Sequence, residues 1–170
     1  MKLLVLDKDG TLIKTVSGHT FVQHPEDQVL IDGVAEAIAA YAADGWTMAI
    51  ASNQGGVAAG HKTLEQAIIE MRYAMKLTGI NIAAIAHSKE ENGYGEFVLI
   101  THDSFEEITH REKFRKPNAG MLNYFCHSFG IGLSGKKLMV GDRDEDFGAA
   151  VNAGFGYYMH VSAWLEPFVK

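Results

Sequence analysis

Cysteine is almost absent from this chain: Cys126 is the only one in 170 residues. That excludes an internal disulfide and any zinc site built on several thiolates. Surplus positive charge is absent as well. Fifteen Lys and Arg face 21 Asp and Glu, a net charge of -6. Such a balance does not supply the broad basic surface that non-specific nucleic-acid binding needs; a local basic patch stays compatible with it. No apolar run is long enough to span a membrane, and no charged-then-apolar leader opens the chain. A cytoplasmic protein with no membrane partner is therefore expected. There is no internal repeat, no low-complexity tract, and nothing that sets an oligomeric state. What is present is 47% apolar and 21% charged residues, a balance usual for soluble globular proteins. The length most simply makes one domain over 1–170 with a substantial core.

Lys2–Leu6 is a short, nearly all-apolar run, as in a strand buried on both faces of a parallel sheet. Residues 14–31 hold no sustained period and read as a long loop or small hairpin. Val34, Ala37, Ile38 and Tyr41 then recur at helical spacing, until Asp44-Gly45 stops the helix. Trp46–Ala51 predicts a second strand. Thr63 with Gln66 three residues on predicts a capping box, ahead of a helix with Leu64, Ala67, Ile68, Met71 and Met75 on one face. Ile80–Ala86, Leu138–Gly141 and Gly156–His160 predict further strands, with helices after Pro117 and over Glu145–Ala153 between them. Residues 87–113 are rich in charge, with a turn at Asn92-Gly93 and a short strand at Phe97–Ile100; they read as an exposed insertion. Trp164 and Phe168 are expected to pack on the sheet. Strand and helix alternate, so the fold class is α/β: an open parallel, Rossmann-like sheet with helices on both faces.

In such sheets ligands bind beyond the carboxyl ends of the strands. Those ends are Asp7-Lys8-Asp9, Ser52-Asn53 and Gly141-Asp142, with Lys116 just before a helix. Each piece has an ordinary reading: an Asp-x-Asp-Gly turn, a polar loop, a solvated lysine, an acidic first turn of a helix. Together they describe a chemistry. The Asp7 carboxylate can attack phosphorus and form an aspartyl-phosphate. Asp7 and Asp142 offer the hard oxygens that Mg²⁺ prefers. Asp9, two residues on, can protonate the leaving oxygen and then activate water. Lys116 can neutralise the phosphate and orient Asp7. The Ser52 hydroxyl and the amides of Asn53-Gln54-Gly55-Gly56 can hold phosphoryl oxygens.

The four segments "DKDGTL" (7–12), "ASNQGG" (51–56), "RKPNAGM" (115–121) and "GDRDED" (141–146) resemble, in order, the four motifs of the haloacid dehalogenase superfamily of phosphohydrolases. The resemblance spans nearly the whole chain. It implies Asp7 as nucleophile, Asp9 as general acid/base, and Ser52 and Lys116 as catalytic partners. It implies Thr11, Asn53 and Arg115 around the phosphate. Mg²⁺ would be held by Asp7, Asp142 and the backbone carbonyl of Asp9, with Asp146 as an acidic partner behind them. No segment is long enough for a large cap domain.

Two branches of the superfamily fit. "FVQHPEDQVLIDGVAEAI" followed by "SNQGGVAAG" is similar to the heptose-bisphosphate and histidinol-phosphate phosphatases, although the cysteine-rich zinc loop of that branch is missing from 87–114. His87, His102 and His110 do not replace it: their spacing fits no standard finger, and they read as surface residues. "DKDGTLIKTVSGHTF" looks like the start of the polynucleotide 3'-phosphatases. Lys14, His19, Phe21 and His24, with Arg111, Lys113, Arg115 and Lys116, are then expected to form a basic, aromatic track that follows a phosphate backbone. The expectation is a phosphomonoesterase acting on a nucleotide or polynucleotide 3' end. The alternative is a phosphatase of sugar or amino-alcohol phosphates, and a third reading is a silent phosphate-binding module.

Overall fold

The computed structural model describes residues 1–90 and 95–169. The first apolar run forms β1 (Lys2–Leu6). Leu4 and Leu6 point into one dry layer, Leu3 and Val5 into the other, and all four are wholly buried. A strand covered on both faces has no polar side, so it reads as continuously apolar. β4 (Trp46–Asn53) and β8 (Lys136–Gly141) flank β1, both parallel to it. β5 (Ile82–Ala86) and β9 (Tyr157–His160) extend the parallel run on either side.

Helices cover both faces. α1 (Val34–Ala43), α3 (Leu64–Thr78) and α6 (Val161–Leu165) close the Leu4–Leu6 layer. α4 (Gly120–Ser128) and α5 (Asp144–Asn152) close the other. The Thr63–Gln66 capping box opens α3, each side chain bonding the other's backbone N–H. Trp164 is buried in the first layer and Phe168 packs against it.

The purely parallel sheet expected from the sequence is not what forms. β6 (Gly95–Thr101) and β7 (Phe105–His110) join beyond β5 as antiparallel strands. The seven-stranded order is β7-β6-β5-β4-β1-β8-β9. The stretch read as an exposed insertion is exposed only in part. Phe97, Val98 and Ile100 of β6 are wholly buried, whereas β7 is an edge strand whose side chains face solvent. The short strand expected at Phe97–Ile100 is the centre of β6; the charges of the edge strand beside it hide how deeply it is buried. The turn at Asn92-Gly93 lies outside the described residues.

This order decides where the crevice falls. The chain leaves β1 for β4 and β5 on one side, then returns to β8 on the other. The helices after β1 and β8 consequently lie on opposite faces, and the crevice opens at the carboxyl end of β1. Beside it stands an arm made of a small hairpin, β2 (Ile13–Thr15) and β3 (Gln28–Leu30). Its linker is tied by buried Asp27, whose carboxylate accepts from Ser17 N (2.7 Å), Ser17 Oγ (2.9 Å) and Gln23 N (3.0 Å). Burial pushes against the charge, but these donors prevail and hold the carboxyl below its ordinary pKa. Stability from such a group is complete above the unfolded pKa and lost as pH falls through the folded one. Asp27→Asn is expected to lower the Tm at neutral pH by several degrees. The gap from the parent protein should close below about pH 4. Thermal melts at a series of pH values check this; a gap constant into acid would contradict it.

Candidate active site

Three strand ends meet at the crevice. Asp7 is the first residue past β1, and its N–H still donates to Val140 O of β8 at 3.0 Å. The backbone is therefore held while the side chain faces the rim. Lys116 enters from the loop before α4. Its Nζ donates to Asp7 Oδ1 (2.6 Å), Asp146 Oδ1 (2.6 Å) and Ala51 O (2.8 Å). Asp7, Lys116 and Asp146 are all buried.

Each partner is fixed from behind. Asn53, at the end of β4, accepts from Lys116 N and donates to Lys116 O, both at 2.9 Å. Glu90 accepts from the N–H groups of Phe114 and Arg115. Asp146 accepts from Arg143 N at 3.1 Å, at the first turn of α5. Room for Asp146 depends on Gly141: a Cβ there would lie 2.3 Å from its carboxylate. Gly10 (φ +84°) turns the chain after Asp9, where a Cβ would lie 2.5 Å from Asp142 Oδ2.

The electrostatics follow from burial. Loss of water pushes the Asp7 carboxyl up to about 6, against the pull of Lys116 and with the push of Asp146 and Asp9. Burial also opposes the Lys116 ammonium, but the two carboxylates outweigh it and hold its pKa above the ordinary lysine value. Burial raises Asp142 as well. A cluster of carboxylates crowded this closely calls for positive charge.

Asp7, Asp142 and Asp146 each offer an oxygen within 4.8 Å of the others. Asp146 already serves Lys116 and Arg143 N. Asp142 Oδ1 is buried and has no hydrogen-bond partner among the described residues, an orphaned acceptor beside a second carboxylate. That donor set fits a hard dication such as Mg²⁺. The Asp9 carboxylate lies outside this group, so any share it has in a metal site rests on its backbone carbonyl. His87, His102 and His110 converge on no common point among the described residues.

The other expected residues divide. Ser52 and Arg115 line a cleft of about 680 Å³ with Asp7, Asp9 and Lys116. The Arg115 guanidinium lies against Gly55, where a Cβ would be 2.6 Å from it. Asn53 lines the cleft too, and its side-chain amide also bonds the Lys116 backbone N–H and C=O. Thr11 is wholly buried and does not line the cleft, and its hydroxyl has no partner among the described residues. The expected basic, aromatic track is met in part: Phe21, Arg115 and Lys116 line the cleft, whereas Lys14 pairs with Asp32 (3.1 Å) and His24 with Glu26 (3.4 Å) outside its lining. Unforeseen in the sequence are Lys62 and Glu70, paired at 2.5 Å in the cleft wall. The part played by the Gln54 side chain is unforeseen too; its Nε2 donates to Asp9 Oδ2 (3.0 Å) and Ser52 Oγ (2.9 Å).

The model of the polynucleotide kinase 3 phosphatase family matches residues 2–148. The chain belongs to this family, within the haloacid dehalogenase superfamily of phosphatases. It is a phosphoric monoester hydrolase without a large cap. It is 33% identical over 154 residues to a heptose-1,7-bisphosphate 7-phosphatase of Pseudomonas putida, covering 91% of this chain and 79% of that one. The corresponding protein of Pseudomonas aeruginosa is 32% identical, with 87% and 74% covered. Among solved structures, the heptose-bisphosphate phosphatase of B. bronchiseptica, complexed with magnesium and phosphate, superposes with a TM-score of 0.68 at 24% identity. It covers 94% of this chain and 80% of that one. A haloacid dehalogenase-like phosphatase of Mesorhizobium loti gives 0.70 at 22%, with 93% and 71% covered. The two structures establish the likeness of fold. Among the described residues no helix is long and apolar enough to cross a membrane.

Gly141→Ala tests the packing behind Lys116. The new methyl must displace Asp146, and overpacking of this kind costs about 1–3 kcal/mol. Because Asp146 also fixes the Lys116 ammonium, turnover of an aryl phosphate is expected to fall by about 100-fold. Melting temperature and steady-state kinetics on the same sample check both. Unchanged turnover would show that Asp146 tolerates displacement.

Proposed function

We propose that this protein, as one domain over 1–170, is a Mg²⁺-dependent phosphomonoesterase of a small sugar-like phosphate, acting through an aspartyl-phosphate on Asp7. The observation that carries the reading is the Asp7 carboxylate: it is held at the tip of β1 against Lys116 Nζ at 2.6 Å, with Asp9 beside it on the same rim.

Asp7 supplies the attacking oxygen. As its bond to phosphorus forms, the bond to the leaving oxygen breaks, and Asp9 donates that oxygen a proton. Asp9, now a carboxylate, takes a proton from water. The water oxygen bonds to phosphorus, the Asp7–phosphorus bond breaks, and inorganic phosphate leaves. Lys116 holds Asp7 and balances its charge throughout. Ser52 and Arg115 bind the phosphoryl oxygens. Held by Asp7, Asp142 and the carbonyl of Asp9, Mg²⁺ would neutralise the phosphate dianion.

The substrate reading departs from the 3'-end expectation. The curated relatives are named sugar bisphosphate phosphatases. Of the track that would follow a phosphate backbone, Phe21, Arg115 and Lys116 line the cleft, but Lys14 and His24 pair outside it with Asp32 and Glu26. The cleft is instead walled by hydrogen-bonding side chains such as Gln23, Gln66, Lys62 and Glu70, which suit the hydroxyls of a compact polyol. The family match bears the name of a polynucleotide 3'-phosphatase, so an oligonucleotide is the right competitor.

Asp7→Asn keeps the shape and removes the nucleophile; hydrolysis is expected to fall to background with the fold intact by circular dichroism. Wild-type-like turnover would refute the covalent route. Chelation should stop hydrolysis and Mg²⁺ restore it. A panel of sugar and amino-alcohol phosphates against a 3'-phosphorylated oligonucleotide, compared by kcat/KM, decides the substrate class. A sugar phosphate is expected to lead; preference for the oligonucleotide would reverse the reading.

A further inference from the structure

We infer that Lys8 is a positioning residue for Asp9, holding its carboxylate over the leaving oxygen as Lys116 holds Asp7. The inference rests on the reading of Asp9 as the general acid/base.

Lys8 stands between the two aspartates in sequence, yet it is 1% exposed. Its Nζ lies 2.8 Å from Asp9 Oδ1 and 3.1 Å from Gln28 Oε1. Gln28 is itself buried, and its Nε2 donates to Pro25 O (2.9 Å) and Glu70 O (3.0 Å). With its amide nitrogen so committed, Gln28 turns its oxygen to Lys8. The other Asp9 oxygen accepts from Gln54 Nε2. Asp9 is thus held by a different donor at each oxygen, from β3 through Gln28 and Lys8 on one side and from the end of β4 on the other.

The two lysines divide the two aspartates between them. Lys116 bonds Asp7 and Asp146; the carboxylate that Lys8 pairs with is Asp9. Burying an ammonium costs several kcal/mol unless a partner compensates. An aliphatic side chain would fill the same space without that cost. What the lysine adds is the tether. The Asp9 side chain is 43% exposed. Without tethers it would sample several rotamers, few of which present a proton to the leaving oxygen.

The test compares kcat/KM for phenyl phosphate and 4-nitrophenyl phosphate in four proteins: parent, Asp9→Asn, Lys8→Met and the double variant. Phenolate needs protonation to leave and nitrophenolate much less. Asp9→Asn should lose about 10²–10⁴-fold on phenyl phosphate. Lys8→Met should lose about 10–100-fold on phenyl phosphate and clearly less on 4-nitrophenyl phosphate. The loss should sit in kcat more than in KM. In the Asp9→Asn background, Lys8→Met should add little, because the group it positions is gone. Circular dichroism and Tm report folding. If Lys8→Met does not fold, Lys8→Gln carries the same comparison, being too short to span to Asp9. Three results with an impaired Asp9→Asn would overturn the inference while sparing Asp9: no loss in Lys8→Met, equal loss on both esters, or losses that add in the double variant. If Asp9→Asn itself loses equally on both esters, the acid/base reading fails, and the role of Lys8 with it.

Discussion

One buried ammonium organises the rim of the sheet. Lys116 Nζ joins the tip of β1 through Asp7, the end of β4 through Ala51 O, and the first turn of α5 through Asp146. Removing one partner from a buried ion pair typically costs about 3–5 kcal/mol, because the charge left behind has neither water nor counter-ion. The arrangement is therefore close to all-or-none. It also explains the demand for small residues nearby: Gly141 leaves room for Asp146, and Gly10 leaves room for Asp142.

Around that point the fold supplies rigidity in layers. β1 is central, dry on both faces and paired in parallel on both edges. A reactive carboxylate placed at its end has a backbone that cannot move independently. Asn53 and Glu90 then carry the loop of Arg115 and Lys116 to the rim through four backbone hydrogen bonds. The stretch before that loop does more than decorate the surface. β6 is core, and Gly95 within it makes room for Glu90, Glu112 and Phe114.

With no large cap, the cleft wall comes from the 14–31 arm, the segment after β4 and the first turns of α3. That wall mixes the apolar Phe21, Val22 and Ala59 with polar side chains, and Lys62 pairs with Glu70 within it. Paired charges present donors and acceptors without a surplus of either sign.

Much was legible in the chain itself. The apolar runs that make a two-faced sheet, the Thr63–Gln66 cap, Asp7, Asp9, Ser52 and Asp142 at strand ends, and Lys116 just before a helix all follow from local pattern plus the rule that α/β sheets bind at their carboxyl edge. Chemistry-bearing residues at that edge depend on strand position, which periodicity reveals. Other features depend on contacts between residues far apart in sequence, which periodicity cannot show. The strand at Phe97–Ile100 is legible, but its antiparallel place in the core between β5 and β7 is not. Asn53 is also a clamp on Lys116, 63 positions away. Lys14 looks like part of a track and is drawn off by Asp32. Lys8 looks solvated between two acids, and only the fold brings Gln28 to its side and removes its water. The sequence by itself determined the reaction class, because that needs only certain groups at strand tips. Tertiary structure decided which partner each charge takes, because pairing depends on burial and distance that no local window contains.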